Sequence, residues 1–152
     1  MEPDRSMWQV GAELGVVAVA IDGGELAAYR LARMSARLMQ GLAGAGGDPD
    51  AVWQALAASC TTDYVVSRTL TALGRSALLQ GHHIEVRGVS RAQSLAPVVA
   101  PCTLAAALQV LGCSEQQPGC LDVRLAVSLG MSEGTAVVRF ELELRLQRRA
   151  AA

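Results

Sequence analysis

The chain has 152 residues, of which 51% are hydrophobic and 18% are charged, and this composition predicts one folded domain and excludes an intrinsically disordered protein. The net charge of −1 argues against general nucleic-acid binding, and an aromatic content of 3% is too low for a base-stacking platform. No apolar run reaches the roughly 20 residues of a membrane-spanning helix, and the N-terminus lacks the basic start of a secretory signal, so we expect a cytoplasmic protein.

The N-terminal part of the chain predicts a short apolar element followed by a helix. Residues 1–14 show no clear period, and we expect them, like residues 147–152, to be peripheral to a single domain spanning 1–152. The β-branched run at residues 15–21 fits either a buried strand or the start of a helix, and we favour the strand. Asp22 and Glu25 then have the spacing of an N-terminal capping box, which predicts a helix over residues 24–42.

A second long helix is predicted after a glycine-rich stretch. Asp48 and Pro49 are typical of an N-cap and a first helical residue, and apolar positions at helical spacing continue to Ala77. The run at residues 59–62 has poor helix propensity and predicts a kink or break. Because the glycine-rich connection is short, we expect the two long helices to pack antiparallel.

The middle of the chain predicts a short strand, an irregular connection and a third helix. Residues 82–88 read as a strand, and residues 90–101 as an irregular connection bounded by prolines. Residues 103–111 are almost entirely apolar and rich in alanine, which predicts a short buried helix beginning near Cys102.

The stretch from Leu121 to Leu146 has the strongest pattern in the chain. Apolar residues occupy every second position over 121–131 and again over 136–146. This period of two predicts two half-buried strands joined by a tight turn. The fold class expected is therefore α+β, with two long antiparallel helices and a third short helix packed on a small antiparallel sheet dominated by this C-terminal hairpin.

Charges on the outer face of the hairpin favour one register. A two-residue turn at residues 133–134 puts Asp122 opposite Arg145 and Arg124 opposite Glu143, and each opposite-charge pair contributes roughly 0.2–1 kcal/mol. A two-residue slip would instead oppose two carboxylates. Gly134 suits the positive φ that such a turn requires.

Three arginines lie on one face of the first helix at positions 30, 33 and 37. Arg30, Arg33 and Arg37 form either a contact surface for an anionic partner or a solvated helix face. The adjacent His82 and His83 point to opposite faces of a strand and do not suit one metal ion, so we expect neither a metal site nor a cofactor.

A thiol at a helix N-terminus has a lowered pKa, so Cys102 is either a nucleophile or an inert buried thiol. No catalytic motif is found, and the sequence favours a non-catalytic protein without assigning any catalytic residue. An enzyme that uses Cys102, His82 or His83 remains an alternative.

The order of the predicted elements resembles the 4-vinyl reductase domain and the related small subunits of the vesicle-trafficking (TRAPP) complex. The local match is Gly134–Glu141, which looks like the family's G-D-x-x-C-x-F ending, with Thr135 in place of the Asp and Val138 in place of a Cys. Residues 101–112 look like its small-residue helix. The resemblance implies an α+β fold, often dimeric, with an apolar pocket for a hydrophobic small molecule or an acyl chain.

These observations lead to the hypothesis of a binding module with an apolar pocket between the helices and the hairpin. The expected partners are a hydrophobic small molecule and a second copy or another subunit of a complex. An adaptor that acts through protein contacts without a ligand is the alternative. The residues expected to line the pocket are Leu38, Leu70, Leu73, Leu104, Leu108, Val127 and Phe140.

Overall fold

A computed structural model describes residues 8–41, 49–131 and 134–148. Five antiparallel strands form one sheet in the order β1-β3-β4-β5-β2, and two long helices and one turn of 3-10 helix lie between β1 and β2 in the chain. The strands are β1 Glu13–Ile21, β2 His82–Ser94, β3 Cys102–Gln117, β4 Cys120–Gly130 and β5 Ala136–Arg148. The helices are α1 Gly23–Gly41 and α2 Pro49–Arg75, and the 3-10 turn is Ala77–Leu79.

The C-terminal hairpin has the predicted register from Cys120 to Leu129, and it shifts by one residue beside the turn, where Gly130 lies opposite Ala136 and not Val137. Asp122 lies opposite Arg145 and Arg124 opposite Glu143, as the charge pattern indicated. Gly134 has a φ of +88°, which confirms the predicted left-handed conformation. The turn itself includes residues 132 and 133, which lie outside the described part of the chain. The hairpin forms the third and fourth strands of the sheet, so both of its strands have neighbours on both sides.

The predicted third helix at residues 103–111 is wrong, because these residues belong to β3. Leu104, Ala106, Leu108 and Val110 are buried, and the residues between them face the other side of the sheet. The alternation was hidden because alanine occupies both faces, and its high helix propensity is overridden by pairing with β1 and β4. The expected fold class is therefore wrong as well, since the described chain has two long helices on a five-stranded sheet and no third one.

Both long helices and the strand before them are present. Residues 15–21 lie within β1, which confirms the favoured interpretation of that run. The Glu25 N–H donates to Asp22 Oδ1 at 2.8 Å, as expected of an N-cap. The expected break at residues 59–62 is absent, because α2 continues from Pro49 to Arg75. The strand predicted at residues 82–88 continues to Ser94, which shortens the connection to β3.

The core lies between one face of the sheet and the C-terminal half of α2. On α2, Val65 is fully buried and Tyr64 and Leu73 are nearly so. The sheet contributes the inward residues of β1, β3, β4 and β5, and Trp8 packs into the same cluster. The outer face of the sheet carries the charged residues of the hairpin, so the helices cover only one side.

Candidate functional site

A cleft of about 360 Å³ opens between the two helices and the segment that follows β2. One side is formed by Arg30 of α1 and Thr61 of α2. The other side is formed by Ser94, the last residue of β2, and by the apolar segment Leu95–Val98. The cleft thus has one charged group, two hydroxyls and otherwise apolar walls.

Arg30 is held in place by a hydroxyl group. Its Nε donates to Thr61 Oγ1 at 3.0 Å, and its Nη2 donates to the same oxygen. Thr61 is itself buried, with 6% of its surface exposed. Because this acceptor is uncharged, these hydrogen bonds orient the guanidinium without neutralising its charge.

The opposite wall is fixed by backbone hydrogen bonds to β5. The N–H groups of Leu95 and Ala96 both donate to the carbonyl of Val137, at 2.8 and 3.3 Å. Leu95 is 47% exposed in spite of these bonds. An exposed leucine on a segment whose backbone is anchored keeps an apolar surface available at the cleft.

A second polar cluster joins α1 to α2 beside the cleft. The Tyr64 hydroxyl donates to Glu25 Oε2 at 2.8 Å, and Arg68 Nη1 lies 3.8 Å from the same oxygen. Burial, together with the hydrogen bond to Glu25 and its negative charge, raises the pKa of Tyr64 above its ordinary value of 10.0. The Tyr29 ring lies 5.6 Å from that of Tyr64, and Arg33 stacks on Tyr29 at 5.4 Å. Glu25, Tyr29 and Arg33 belong to α1 and Tyr64 and Arg68 to α2, so these contacts hold the two helices together.

The predicted arginine surface is only partly assembled at the cleft. Arg30 lines the cleft, whereas Arg33 stacks on Tyr29. The side chain of Arg37 lies outside the described part of the chain. Thr61, Ser94 and Leu95–Val98 were not recognised from the sequence, where the two prolines near residue 100 were the only signal of an unusual connection.

The predicted apolar lining lies mostly in the core. Leu70 is half-buried against the core cluster, and the side chain of Leu38 is not among those described. The remaining five residues are buried: Leu73, Leu104, Leu108, Val127 and Phe140. A ligand pocket lined by these residues therefore stays a prediction.

The positions of Cys102, His82 and His83 do not support the alternative of an enzyme that uses them. Cys102 begins a strand and not a helix, so the expected effect of a helix N-terminus is absent, and burial raises the pKa of its thiol. His82 and His83 begin β2, whereas the cleft is at its other end, at Ser94. The β5 residues opposite His82 and Ser94 are Arg148 and Val138, ten positions apart, so at about 3.3 Å per residue His82 lies on the order of 33 Å from the cleft of its own chain.

Two negative findings apply to the described residues. No group of three or more His, Cys, Asp or Glu side chains among them is arranged to hold a metal ion. None of the helices in residues 8–41 and 49–131 is long and apolar enough to cross a membrane.

Comparison with known proteins identifies the fold. No protein-family model matches the chain, and no curated protein shows a significant match. Among solved structures, the chain is similar to a MaoC-like dehydratase from Rhodospirillum rubrum, with a TM-score of 0.61 and 16% identity over 94% of this chain and 95% of that one. It is also similar to a monoamine oxidase regulatory protein from Archaeoglobus fulgius, with a TM-score of 0.58 and 13% identity over 94% of this chain and 92% of that one.

These similarities show a shared fold and correct the resemblance drawn from the sequence. The two helices and five-stranded antiparallel sheet fit the hot-dog fold, not the 4-vinyl reductase or TRAPP small-subunit fold. The match at Gly134–Glu141 was misleading because those residues are the end of the hairpin turn and the start of an ordinary antiparallel strand, β5, which begins at Ala136. The small-residue segment before it, taken as the family's helix, is β3.

Proposed function

We propose that this chain is a non-catalytic binding module whose cleft holds a small molecule with an anionic group and an apolar body, such as the carboxylate of an acyl chain. The observation that supports this most directly is the guanidinium of Arg30, which is held by the uncharged hydroxyl of Thr61 in a cleft with apolar walls. The remaining N–H groups of Arg30 can pair with a carboxylate, which guanidinium binds in a bidentate manner. Leu95–Val98 then contact the apolar body of the ligand.

The composition of the cleft favours binding over catalysis. One similar solved structure bears the name dehydratase, and removal of water requires a group that accepts a proton and one that returns it. Within one copy of this chain, the lining residues are an arginine, a threonine, a serine and four apolar residues. None of these side chains is a carboxylate or an imidazole, the groups that most often accept and return a proton in catalysis. The cleft therefore supports the binding hypothesis more strongly than the dehydratase one.

Isothermal titration with decanoate tests this proposal, with decanol as the uncharged analogue. We expect decanoate to bind, decanol to bind at least tenfold more weakly, and Arg30→Gln to weaken decanoate binding by a similar factor, since a charge-assisted hydrogen bond contributes about 1.5–3 kcal/mol. Arg33→Gln is the matched control, because Arg33 lies on the same helix but stacks on Tyr29. Equal affinity for decanoate and decanol, or equal effects of the two substitutions, would contradict the proposal.

We also propose that the protein acts as a homodimer that pairs through β2. The strand lies at the edge of the sheet, and its Val86 and Val89 are 47% and 39% exposed. Their partners on β5, Leu144 and Leu142, lie directly on either side of Glu143, the partner of Gly88. A two-fold axis at Gly88 therefore sets Val86 of each copy opposite the partner's Val89, which buries both apolar pairs.

In this arrangement Glu85 lies opposite the partner's Ser90, and the same contact occurs twice because the pairing is symmetric. Sedimentation at micromolar concentration provides the test, and we expect a dimer that Val86→Glu converts to a monomer. Val99→Glu, on the exposed segment beyond the cleft, is the control and leaves the dimer intact. A wild-type monomer would overturn this part of the proposal.

A further inference from the structure

We infer that the outer face of the sheet carries a binding site for a small organic phosphate monoester, held by the guanidinium groups of Arg139 and Arg91 and the hydroxyl of Ser128. A hollow of about 390 Å³ lies over β4, β5 and the last part of β2, and these three residues line it. The helices leave this face uncovered, so the site is separate from the cleft at Arg30 and goes beyond the proposed function.

The side chains at this hollow point away from the core. Val127, Val138 and Phe140 are buried on the helix side of β4 and β5. Side chains alternate along a strand, so Ser128 and Arg139, which are next to these residues in the chain, point to the outer face. Ser128 and Arg139 also lie directly opposite each other across the two strands. A hydroxyl and a guanidinium are therefore neighbours on this face.

Arg139 has no carboxylate opposite it. Its cross-strand neighbours are Ser128 on β4 and Gln93 on β2, and neither is charged. Arg145, on the same strand and face, has Asp122 opposite and pairs with it at 2.8 Å. Among the described residues Arg139 forms no ion pair, so its charge is available to an anion from solution.

A bulge in β2 brings the second guanidinium to the same hollow. Ser90 pairs with Glu141 and Gln93 with Arg139, so β2 has one residue more than β5 between these pairs. Within the bulge Arg91 has a φ of +53°, a left-handed conformation that residues with a side chain seldom adopt and that clusters at functional sites. Arg91 Nη1 lies 3.5 Å from Glu141 Oε1, and its side chain is 79% exposed. Because such an exposed ion pair is weak, Arg91 can turn from Glu141 to a doubly charged ligand.

The lining favours a phosphate monoester with an organic body. A phosphate dianion offers three oxygens to two arginines, each of which can bind phosphate in a bidentate manner, whereas a carboxylate offers two. A second hollow of about 260 Å³ shares Ala126 and Ser128 with the first and continues to Val16 on β1. Val16 is 66% exposed, so the organic body of the ligand can lie against apolar atoms there.

A phosphate monoester can be a free small molecule or the headgroup of phosphatidic acid, and the charges of this face favour the free molecule. Glu13 and Glu141 line the two hollows, and Glu143 follows on the same face of β5, so an anionic membrane would be repelled. Phosphatidylcholine vesicles with and without phosphatidic acid distinguish the two sources. We expect no cosedimentation with either, and cosedimentation that Arg139→Gln abolishes would overturn the assignment to a free molecule.

Isothermal titration with phenyl phosphate at neutral pH tests the site. We expect binding that Arg139→Gln weakens at least about tenfold, because the substitution removes charge-assisted hydrogen bonds. Arg124→Gln is the matched control, since Arg124 is on the same face of β4 but lines a different hollow. Failure of phenyl phosphate to bind at millimolar concentration, or equal effects of the two substitutions, would overturn the inference.

Two further variants test the role of the bulge. Glu141→Gln removes a negative charge from the hollow and releases Arg91, so we expect phenyl phosphate to bind about threefold more tightly. Arg91→Gly suits the left-handed φ, so we expect it to weaken binding about fivefold without lowering Tm. A lower Tm with unchanged affinity in Arg91→Gly would overturn the role of Arg91 as a ligand contact.

The site is tested separately from the cleft. We expect Arg30→Gln to leave the affinity for phenyl phosphate unchanged and decanoate not to displace phenyl phosphate. Failure of decanoate to bind would overturn the ligand proposed for the cleft and leave the site at Arg139 standing. Displacement of phenyl phosphate by decanoate would overturn the separate site and leave the role of Arg30 standing.

Discussion

Asp122 and Arg145 form a two-point ion pair near the open end of the hairpin, close to the start of β4 and the end of β5. Arg145 Nε donates to one carboxylate oxygen at 2.8 Å, and its Nη2 donates to the other at 3.2 Å. Arg124 and Glu143 lie opposite each other two positions nearer the turn, on the same face, yet among the described residues they form no ion pair with each other. Register alone therefore does not decide whether opposite charges meet.

The Asp122–Arg145 pair predicts a pH-dependent stability. The hydrogen bond and charge of Arg145 lower the pKa of Asp122 below its ordinary value of 3.8. The carboxylate therefore stabilises the fold at neutral pH, and this contribution is lost as the pH falls from the ordinary value through the lowered one. We expect the difference in Tm between wild type and Asp122→Asn to be largest at pH 7 and to shrink below pH 4. Glu143→Gln serves as the control, and a gap that stays constant from pH 7 to pH 2.5 would contradict the prediction.

Substitution by alanine should destabilise the protein at Gly130 but not at Gly112, although both glycines lie in the sheet. A Cβ added at Gly130 would lie 2.7 Å from the backbone oxygen of Thr135, whereas one added at Gly112 meets no atom within 4 Å. We expect Gly130→Ala to lower the free energy of unfolding by about 1–3 kcal/mol, because backbone has to move. Gly112→Ala should be neutral or raise it by up to about 1 kcal/mol through the entropy of the unfolded chain. Urea unfolding measures the change in the free energy of unfolding for both variants. Equal changes would show that the backbone near Gly130 can move at little cost.

Removal of one hydroxyl should loosen the contact between the helices. Tyr64→Phe deletes the donor to Glu25, and since Glu25 is half exposed we expect a loss of about 1 kcal/mol in urea unfolding. Tyr29→Phe keeps the stacked ring and is the matched control. If the two variants unfold alike, the Tyr64–Glu25 bond makes no net contribution.

The cysteines should be slow to react in the folded protein. Burial raises the pKa of Cys102, and burial together with Glu115 and Asp122 raises that of Cys113, so both thiols are protonated at neutral pH. We expect alkylation by iodoacetamide at pH 7.5 to be slower than that of free glutathione at both sites, and slower at Cys102 than at the exposed Cys113. Mass spectrometry of the labelled peptides gives the rates. Rapid labelling of Cys102 would instead support the hypothesis that its thiol is a nucleophile.

The sequence predicted elements well where both faces of a strand were chemically distinct. The hairpin alternates leucine and valine with charged residues, so its strands and its register followed from the pattern. β3 alternates Leu104 and Leu108 with alanines, and a face of alanine carries no polar signal to distinguish a strand from a buried helix. The decisive contribution came from pairing with β1, which is remote in sequence and therefore invisible to local patterns.

The cleft was predictable only in part for a similar reason. Arg30 stood out because three arginines recur at helical spacing. Thr61 lies in a segment that was expected to break the helix, and Ser94 lies in one expected to be irregular. Each contributes through a contact between distant elements, so neither has a local signature.

The sheet order has a consequence for how the chain reaches its folded state. The edge strands β1 and β2 are made early, but each pairs only with a strand made later, β1 with β3 and β2 with β5. The central pair, β4 and β5, is the last to be synthesised and is joined by a short turn. Closing the long loops before these pairings form costs chain entropy, which slows folding. While the chain is still on the ribosome, β1 therefore stays unpaired until β3 has emerged, and β2 stays unpaired until β5, the last strand, has emerged.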